Sequence, residues 1–327
     1  MIMIFTSSCC DNLSIDEIIE RAKQGDSEAQ YIVGFYYNRD SAIDSPDDEK
    51  AFYWLKLAAE QGHCEAQYSL GRKYNENKSR YKDNAQAIFW LKKAALQEQA
   101  LAANLLGCIL DEAAPPNYED AVEWYRKAAE QGLKYAQNNL GLMYQNGTGV
   151  TQDYEQAFYW YKQAALQGHN PAQDNLADLY EKGTGVPQNK TLAAFWYLKS
   201  ALQGNQHAQF QIAWDYDLGE GVDQDYKQAM YWYLKAAAQG SIGAYVNIGY
   251  MYKHGQGVEK DYNAAFEWFT KAAECNDATA WYNLAIMYHY GEGGPVDLLQ
   301  ALDLYRKVQS SGTRDVSQEI REIEDLL

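Results

Sequence analysis

Proline is scarce in this sequence, six residues in 327, so little interrupts regular structure. With 47% hydrophobic and 14% aromatic residues the chain can bury a large core, which excludes intrinsic disorder. Cysteine is equally sparse. Cys9, Cys10, Cys64, Cys108 and Cys275 are odd in number, form no CxxC and share no repeated spacing. That pattern argues against a secreted disulfide framework and against a zinc site, and points to reduced thiols in a cytosol. Apolar runs are short, and none reaches the roughly 18 residues that a membrane-spanning helix needs. The start, Met1-Ile-Met-Ile-Phe5, has no Lys or Arg before Arg21 and is too short for the apolar region of an export signal. Basic charge is also in deficit: 28 Lys and Arg against 45 Asp and Glu leave a net charge of −17. This disfavours nucleic acid, whose phosphates must be neutralised, and an anionic membrane surface. It favours basic or neutral partners.

What the chain does have is periodicity. The turn glycines Gly147, Gly183, Gly219, Gly255 and Gly291 stand 36 residues apart, each opening a Gly-x-Gly. A second series, Gly132, Gly168, Gly204, Gly240, Asn276 and Gly312, keeps the same step and extends back through Glu98, Gly62 and Gly25. Trp54, Trp90, Trp124, Trp160, Trp196, Trp232 and Trp268 form a third. Three locked series define a structural repeat.

Each repeat reads as two helices. The first is seen in Ala136, Leu140 and Tyr144 at i, i+4 and i+8. A small residue follows each Leu or Ile (Gly141, Ala177, Ala213, Gly249, Ala285), and a glycine inside a helix predicts close approach of a neighbour. The paired glycines end this helix. Asp153, Asp225, Asp261, Asp297 and Asn189 are N-caps of the second, which continues with Ala157, Trp160, Tyr161, Ala164 and Ala165 on one face. One pair cannot bury that stripe alone, whereas stacked pairs can. The expected fold is therefore all-α, a solenoid of about eight antiparallel helix pairs with terminal caps.

We read a flexible start over 1–13 and a capping helix over 14–24, opened by Ser14 and Glu17. Irregular repeats follow over 25–131, using Pro46, the 75–83 segment and Pro115-Pro116 as turns. Regular repeats occupy 132–312, and a cap over 313–327 places Val316, Ile320, Ile323 and Leu327 on one face. The 34-residue step spanning Pro115 is where a change of pitch is expected.

These residues resemble the Sel-one-like repeat family of the tetratricopeptide-repeat superfamily, and its enterobacterial members in particular. The signature Ala-x-x-x-Leu-Gly-x-x-Tyr, the Gly-x-Gly-Val turn, and Asp-Tyr-x-x-Ala-x-x-Trp-Tyr-x-x-Ala-Ala-x-x-Gly is met nearly in full from Ala136 to Gln309 and in outline before it. The resemblance implies a right-handed superhelix whose first helices line a concave groove, and work as an adaptor in protein complexes. Cysteine-rich relatives with one disulfide per repeat have been linked to penicillin binding. This chain lacks those pairs.

No catalytic constellation stands out. His63, His169, His207, His254 and His289 fall at helix ends and read as surface residues. No HExxH, calcium loop, P-loop or G-x-S-x-G occurs, and neither metal nor cofactor is expected. The tryptophans beside the alanine stripe read as core. Trp214, one residue past Ala213, is turned toward the groove, and Trp281 is a weaker candidate. An amide row recurs two residues before the small position: Asn139, Asn175, Gln211, Asn247 and Asn283. Such amides suit a bound peptide backbone, although they could equally bridge neighbouring helices. Gln211 with Trp214, and Asn247 with Tyr250, are three apart and share a helix face. The reading is a non-enzymatic cytoplasmic scaffold that binds a peptide or partner protein through these residues. The alternative is an exported factor of the same fold.

Overall fold

A computed structural model describes residues 13–38, 47–77 and 79–327. Cys9, Cys10, the rest of the start through residue 12, and the turn at Pro46 lie outside the described residues. Eighteen α-helices and no strand occur among them. A lone helix α1 (Ile15–Lys23) comes first. Eight pairs follow: α2 (Ser27–Tyr37) with α3 (Asp48–Glu60), α4 (Cys64–Asn75) with α5 (Asn84–Ala95), α6 (Ala100–Asp111) with α7 (Tyr118–Glu130), and α8 (Lys134–Asn146) with α9 (Tyr154–Leu166). The series continues with α10 (Asn170–Lys182) and α11 (Lys190–Ala201), α12 (Gln206–Leu218) and α13 (Tyr226–Ala237), α14 (Ile242–His254) and α15 (Tyr262–Glu274), α16 (Ala278–Tyr290) and α17 (Leu298–Ser311). A last helix α18 (Ser317–Leu326) closes the order. The helices gather into two compact units, residues 1–164 and 165–327.

Local chemistry sets the helix borders. Asp225 and Asp261 each accept two backbone N–H groups of the turn they open, and Asn189 and Asp297 accept one. Ser14 and Glu17 exchange the reciprocal bonds of a capping box. First helices from α8 onward end on a glycine in the left-handed region, with φ between 67 and 75° at Gly147, Gly183, Gly219, Gly255 and Gly291. The second glycine of the turn has a further task. A Cβ on Gly257 would lie 2.5 Å from the Tyr226 carbonyl, so that residue must be glycine for one repeat to seat on the previous one. The other glycine series also holds positive φ, including Glu98 (66°) and Asn276 (61°), the only non-glycine residues to do so among those described.

Within a pair, the small residue of the first helix is pressed by a large side chain of the second. A Cβ on Gly141 would stand 2.7 Å from the Tyr161 ring, and one on Gly249 2.7 Å from Phe269. Gly107 meets Tyr125 in the same way, so the shorter step around Pro115 leaves its own pair closed like the others. This corrects the assignment of the tryptophan series to the core. The fully buried ring is the residue after it: Tyr125, Tyr161, Tyr197, Tyr233 and Phe269, each at 2% exposure or less. Among the tryptophans only Trp90 and Trp232 are buried, and Trp54, Trp124, Trp160, Trp196 and Trp268 are half-buried. Adjacent helical positions lie about 100° apart, so both border the alanine stripe and only packing decides between them.

Each unit also contains a polar clip that the sequence reading missed. In residues 165–327, the buried Gln173 and Gln209 donate their side-chain amides to Ala165 O and Ala201 O, both at 3.2 Å. Their own oxygens accept from Gln203 (2.7 Å) and Gln239 (2.8 Å). In residues 1–164, Gln30 and Gln67 make the same bonds to Ala22 O and Ala59 O, and accept from Gln61 and Gln97. Each clip adds a second donor to a last-turn carbonyl of the preceding helix, which also accepts the N–H of the following glycine, as in Gly168 N–H to Ala165 O at 2.9 Å and Gly204 N–H to Ala201 O at 3.0 Å. The recurring Ala-Gln pair was the available signal.

The ends are covered as expected. Ile18 and Ala22 of α1 are buried against Ala29, Ile32 and Val33. Val316 and Ile323 join the core of residues 165–327, with Ile320 partly buried. Leu327 does not: α18 stops at Leu326, and Leu327 is exposed.

Candidate partner-binding face

The expected site residues sit on first helices, and the structure divides them. In residues 1–164, half-buried Asn139 on α8 donates to Asn104 Oδ1 at 3.3 Å, on the first helix of the preceding repeat. In residues 165–327, the Gln211 amide lies beside the hydroxyl of buried Tyr197, which donates to Asp178 at 2.6 Å. Asn247 stands likewise beside Tyr233, whose hydroxyl donates to Asp217 at 3.4 Å. Both phenols are held well above their ordinary range, first by burial and then by the neighbouring aspartate. The row therefore borders the hydroxyls of the core tyrosines in the preceding pair, whose hydrogen bonds go to Asp178 and Asp217. At the next step the core ring is Phe269, which has no hydroxyl. There Asn283 donates to Tyr250 Oη (2.9 Å) and Thr279 O (2.8 Å) instead. At 2% exposure, with both amide protons used, Asn283 is withdrawn from any partner-facing row, which corrects its place in the site. Tyr250 is half-buried, with its ring edge-on to Phe269 at 5.5 Å. Asn175 on α10 is half-buried.

Trp214 behaves differently. It is 41% exposed on α12, with Phe210 beside it at 6.3 Å between ring centroids. Phe210 is wedged in turn: its ring lies 5.7 Å from Tyr233, and a Cβ on Gly243 would meet it at 2.9 Å. A glycine in the following repeat thus makes room for the ring that backs the indole. Phe210 and Gly243 were not evident from the sequence because no other repeat pairs them. Trp281 packs partly buried against the core, in the position that Gln173 and Gln209 hold in earlier repeats.

The histidines depart from a uniform surface reading. His63 caps α4 through Nδ1, pairs with Glu28 at 3.0 Å, and stacks on Tyr31 at 4.7 Å, with only 13% of its side chain exposed. His207 is exposed and bonded to Asp174 at 3.0 Å, which raises its pKa above the usual histidine value. His254 is exposed, and His289 stacks on Tyr290 at 4.4 Å.

One buried charge breaks the pattern. Asp215 occupies the register of Leu179, Met251 and Met287, is 5% exposed, and has an Oδ2 without a hydrogen-bond partner. Burial, then the charges of Glu181 and Glu220, push its carboxyl up to about 7 against the opposing pull of Lys190. Lys190 Nζ bridges Glu181 (3.6 Å) and Glu220. Among the described residues, no group of three or more His, Cys, Asp and Glu side chains is arranged to hold a metal, and no helix is long and apolar enough to cross a membrane.

Helix pairs closed by small residues, seated by turn glycines and clipped by buried amides define an all-α repeat solenoid. Comparison with known proteins narrows this. The Sel1 repeat matches residues 27–63, 64–98, 100–133, 134–169, 170–205, 206–241, 242–277 and 278–307, and the chain belongs to the Sel1-repeat family. It is 84% identical over 151 residues to the Sel1-repeat-containing protein YbeQ of Escherichia coli, a match covering 46% of each chain. A protective antigen of uropathogenic Escherichia coli with an SLR fold superposes with a TM-score of 0.86 at 35% identity, over 92% of this chain and 65% of that one. A Sel1 repeat protein from Oxalobacter formigenes gives 0.66 at 30% identity, over 94% and 90%. The chain thus spans under half the length of YbeQ, and about two-thirds of the antigen, in these matches. The repeat fold is in general a protein–protein interaction module, and Sel1-repeat proteins are typically non-catalytic scaffolds.

Proposed function

We propose that this chain is a non-catalytic scaffold that captures a peptide segment or partner protein on the first-helix face of residues 165–327, with Trp214 as the anchor. The observation that carries the reading is the half-exposed indole of Trp214, held from behind by a ring that is itself locked in place. A rigid aromatic that binding would desolvate is the side chain most often dominant at interfaces. The half-buried amides of Asn175, Gln211 and Asn247 border the same face, and each has bonding capacity beyond one intramolecular contact. Tyr250 continues the row of rings at its end, and Asn139 holds the equivalent position within residues 1–164. The net charge of −17 supports a protein partner over nucleic acid or a membrane. Free Cys64, Cys108 and Cys275 fit a reducing cytoplasm.

The test is selection of binding peptides from a displayed library on the full chain, followed by calorimetry on variants. Trp214→Ala should cost above about 2 kcal/mol of binding and Asn175→Ala about 1, with Asn175→Ala plus Asn247→Ala rivalling the first. Melting temperature controls for folding. Affinity unchanged in every variant would remove this face as the site.

A further inference from the structure

Residues 165–327 expose a second surface, on second helices. In a chain with 45 acidic residues, α11 and α13 together hold four lysines (Lys190, Lys199, Lys227 and Lys235) and no Asp or Glu. The two helices belong to successive repeats and are tied at both ends. Gln239 Nε2 donates to Gly204 O at 2.9 Å, and Gly221 is packed against the Lys190 carbonyl. Their shared face is apolar as well as basic: Phe195 is 46% exposed, Leu202 67%, Tyr231 50% and Leu234 40%. The rings are fixed edge-on to Trp196 and Trp232, at 5.1 and 5.0 Å. Lys199 and Lys235 stand 5.5 and 5.6 Å over the Phe195 and Tyr231 rings, and neither forms an ion pair among the described residues. The surface stops at α15, where Glu267 and Glu274 fall in the register of Tyr231 and Ala238.

We propose that the exposed face of α11 and α13 docks an acidic amphipathic helix of a partner protein, its apolar side chains on Phe195, Leu202, Tyr231 and Leu234 and its carboxylates on Lys199 and Lys235. Charge complementarity selects this occupant. A local surplus of cations over exposed rings, without a carboxylate on either helix, attracts an anionic ligand that also offers apolar contact. A protein segment suits it better than an anionic bilayer. Each lysine near a charged membrane contributes only about 1 kcal/mol, and the rest of this chain repels that surface. The site lies on other helices than the Trp214 face and does not depend on it.

The test uses a fluorescein-labelled helical peptide of leucine and glutamate, with leucine at i, i+3, i+4 and i+7, titrated with the full chain in low-salt buffer by anisotropy. Binding should weaken roughly tenfold in Lys199→Glu with Lys235→Glu, and by a similar factor in Phe195→Ser with Tyr231→Ser. A control pair of equal charge change, Lys182→Glu with Lys307→Glu, should weaken it much less, and Trp214→Ala should leave it unchanged. All these side chains are exposed or half-exposed; circular dichroism checks the fold, and Lys199→Ala with Lys235→Ala is the milder second pair. Vesicles of phosphatidylcholine and phosphatidylserine are run in parallel. The proposal is overturned if the peptide does not bind, if both charge pairs weaken it equally, or if only the vesicles bind.

Discussion

Replacing Asp215 with Asn should stabilise this protein, and the gain should grow with pH. Burial carries the carboxyl from 3.8 to about 7, with Glu181 and Glu220 adding to the rise. Three units at about 1.4 kcal/mol each give a penalty of about 4 kcal/mol once the group is ionised in the folded chain. Water entry and relaxation around the charge reduce this to about 2–4 kcal/mol. The sign follows from proton counting. Between the unfolded and folded pKa values the folded chain holds the extra proton, so its stability falls as pH rises through that window and is level above it. Asn cannot ionise and escapes the loss. Chemical denaturation of both proteins, followed by far-UV circular dichroism, should give nearly equal midpoints at about pH 4 and the widest separation at about pH 8. Because repeat arrays can unfold in parts, hydrogen exchange of α12 amides localises the effect. Asp215→Met, which restores the residue type of Met251 and Met287, should gain at least as much. A difference that does not change with pH, or a destabilised Asn variant at pH about 8, would refute the reasoning.

Further outcomes follow from the backbone and the core. Glu98→Gly should stabilise by up to about 1 kcal/mol, since Glu98 is held at φ 66°, and Asn276→Gly by less because asparagine tolerates that region; thermal melts of the two compare them directly. Gly249→Ala drives a Cβ to 2.7 Å from Phe269 and should cost about 1–3 kcal/mol in denaturant, unless the ring can shift. Leu176→Ala, fully buried, should cost about 2–5 kcal/mol, while exposed Lys182→Ala should cost about 0.5 or less; equal midpoints would mean the core face is misassigned. Gln209→Ala removes one of two donors to the Ala201 carbonyl and one of two acceptors of the Gln239 amide and should cost about 0.5–1.5 kcal/mol, read as a lowered melting temperature.

The repeat, its helix borders and its unusual backbone positions were legible in the sequence because each is set by neighbours in the chain. Asp225 caps the turn it precedes, and Gly219 supplies the φ that ends its own helix; the glycine series ran through Glu98 and Asn276, and the structure holds both in the left-handed region. Gly141 and Gly249 announced close approach by being glycines inside helices, and the structure supplied the rings that press on them. What the tertiary structure alone decided concerns residues about 14 to 35 positions apart. Periodicity places Trp196 and Tyr197 on the same side of α11, yet only the opposing helix selects Tyr197 as the buried ring. Once that ring is buried its hydroxyl needs a partner and finds Asp178, with Gln211 beside it; where the ring is Phe269 the demand vanishes and Asn283 turns to Tyr250. Asn139 and Asn283, which look alike along the chain, thus bond Asn104 and Tyr250, because a hydrogen bond is fixed by what lies across the interface and not by the repeat that carries it.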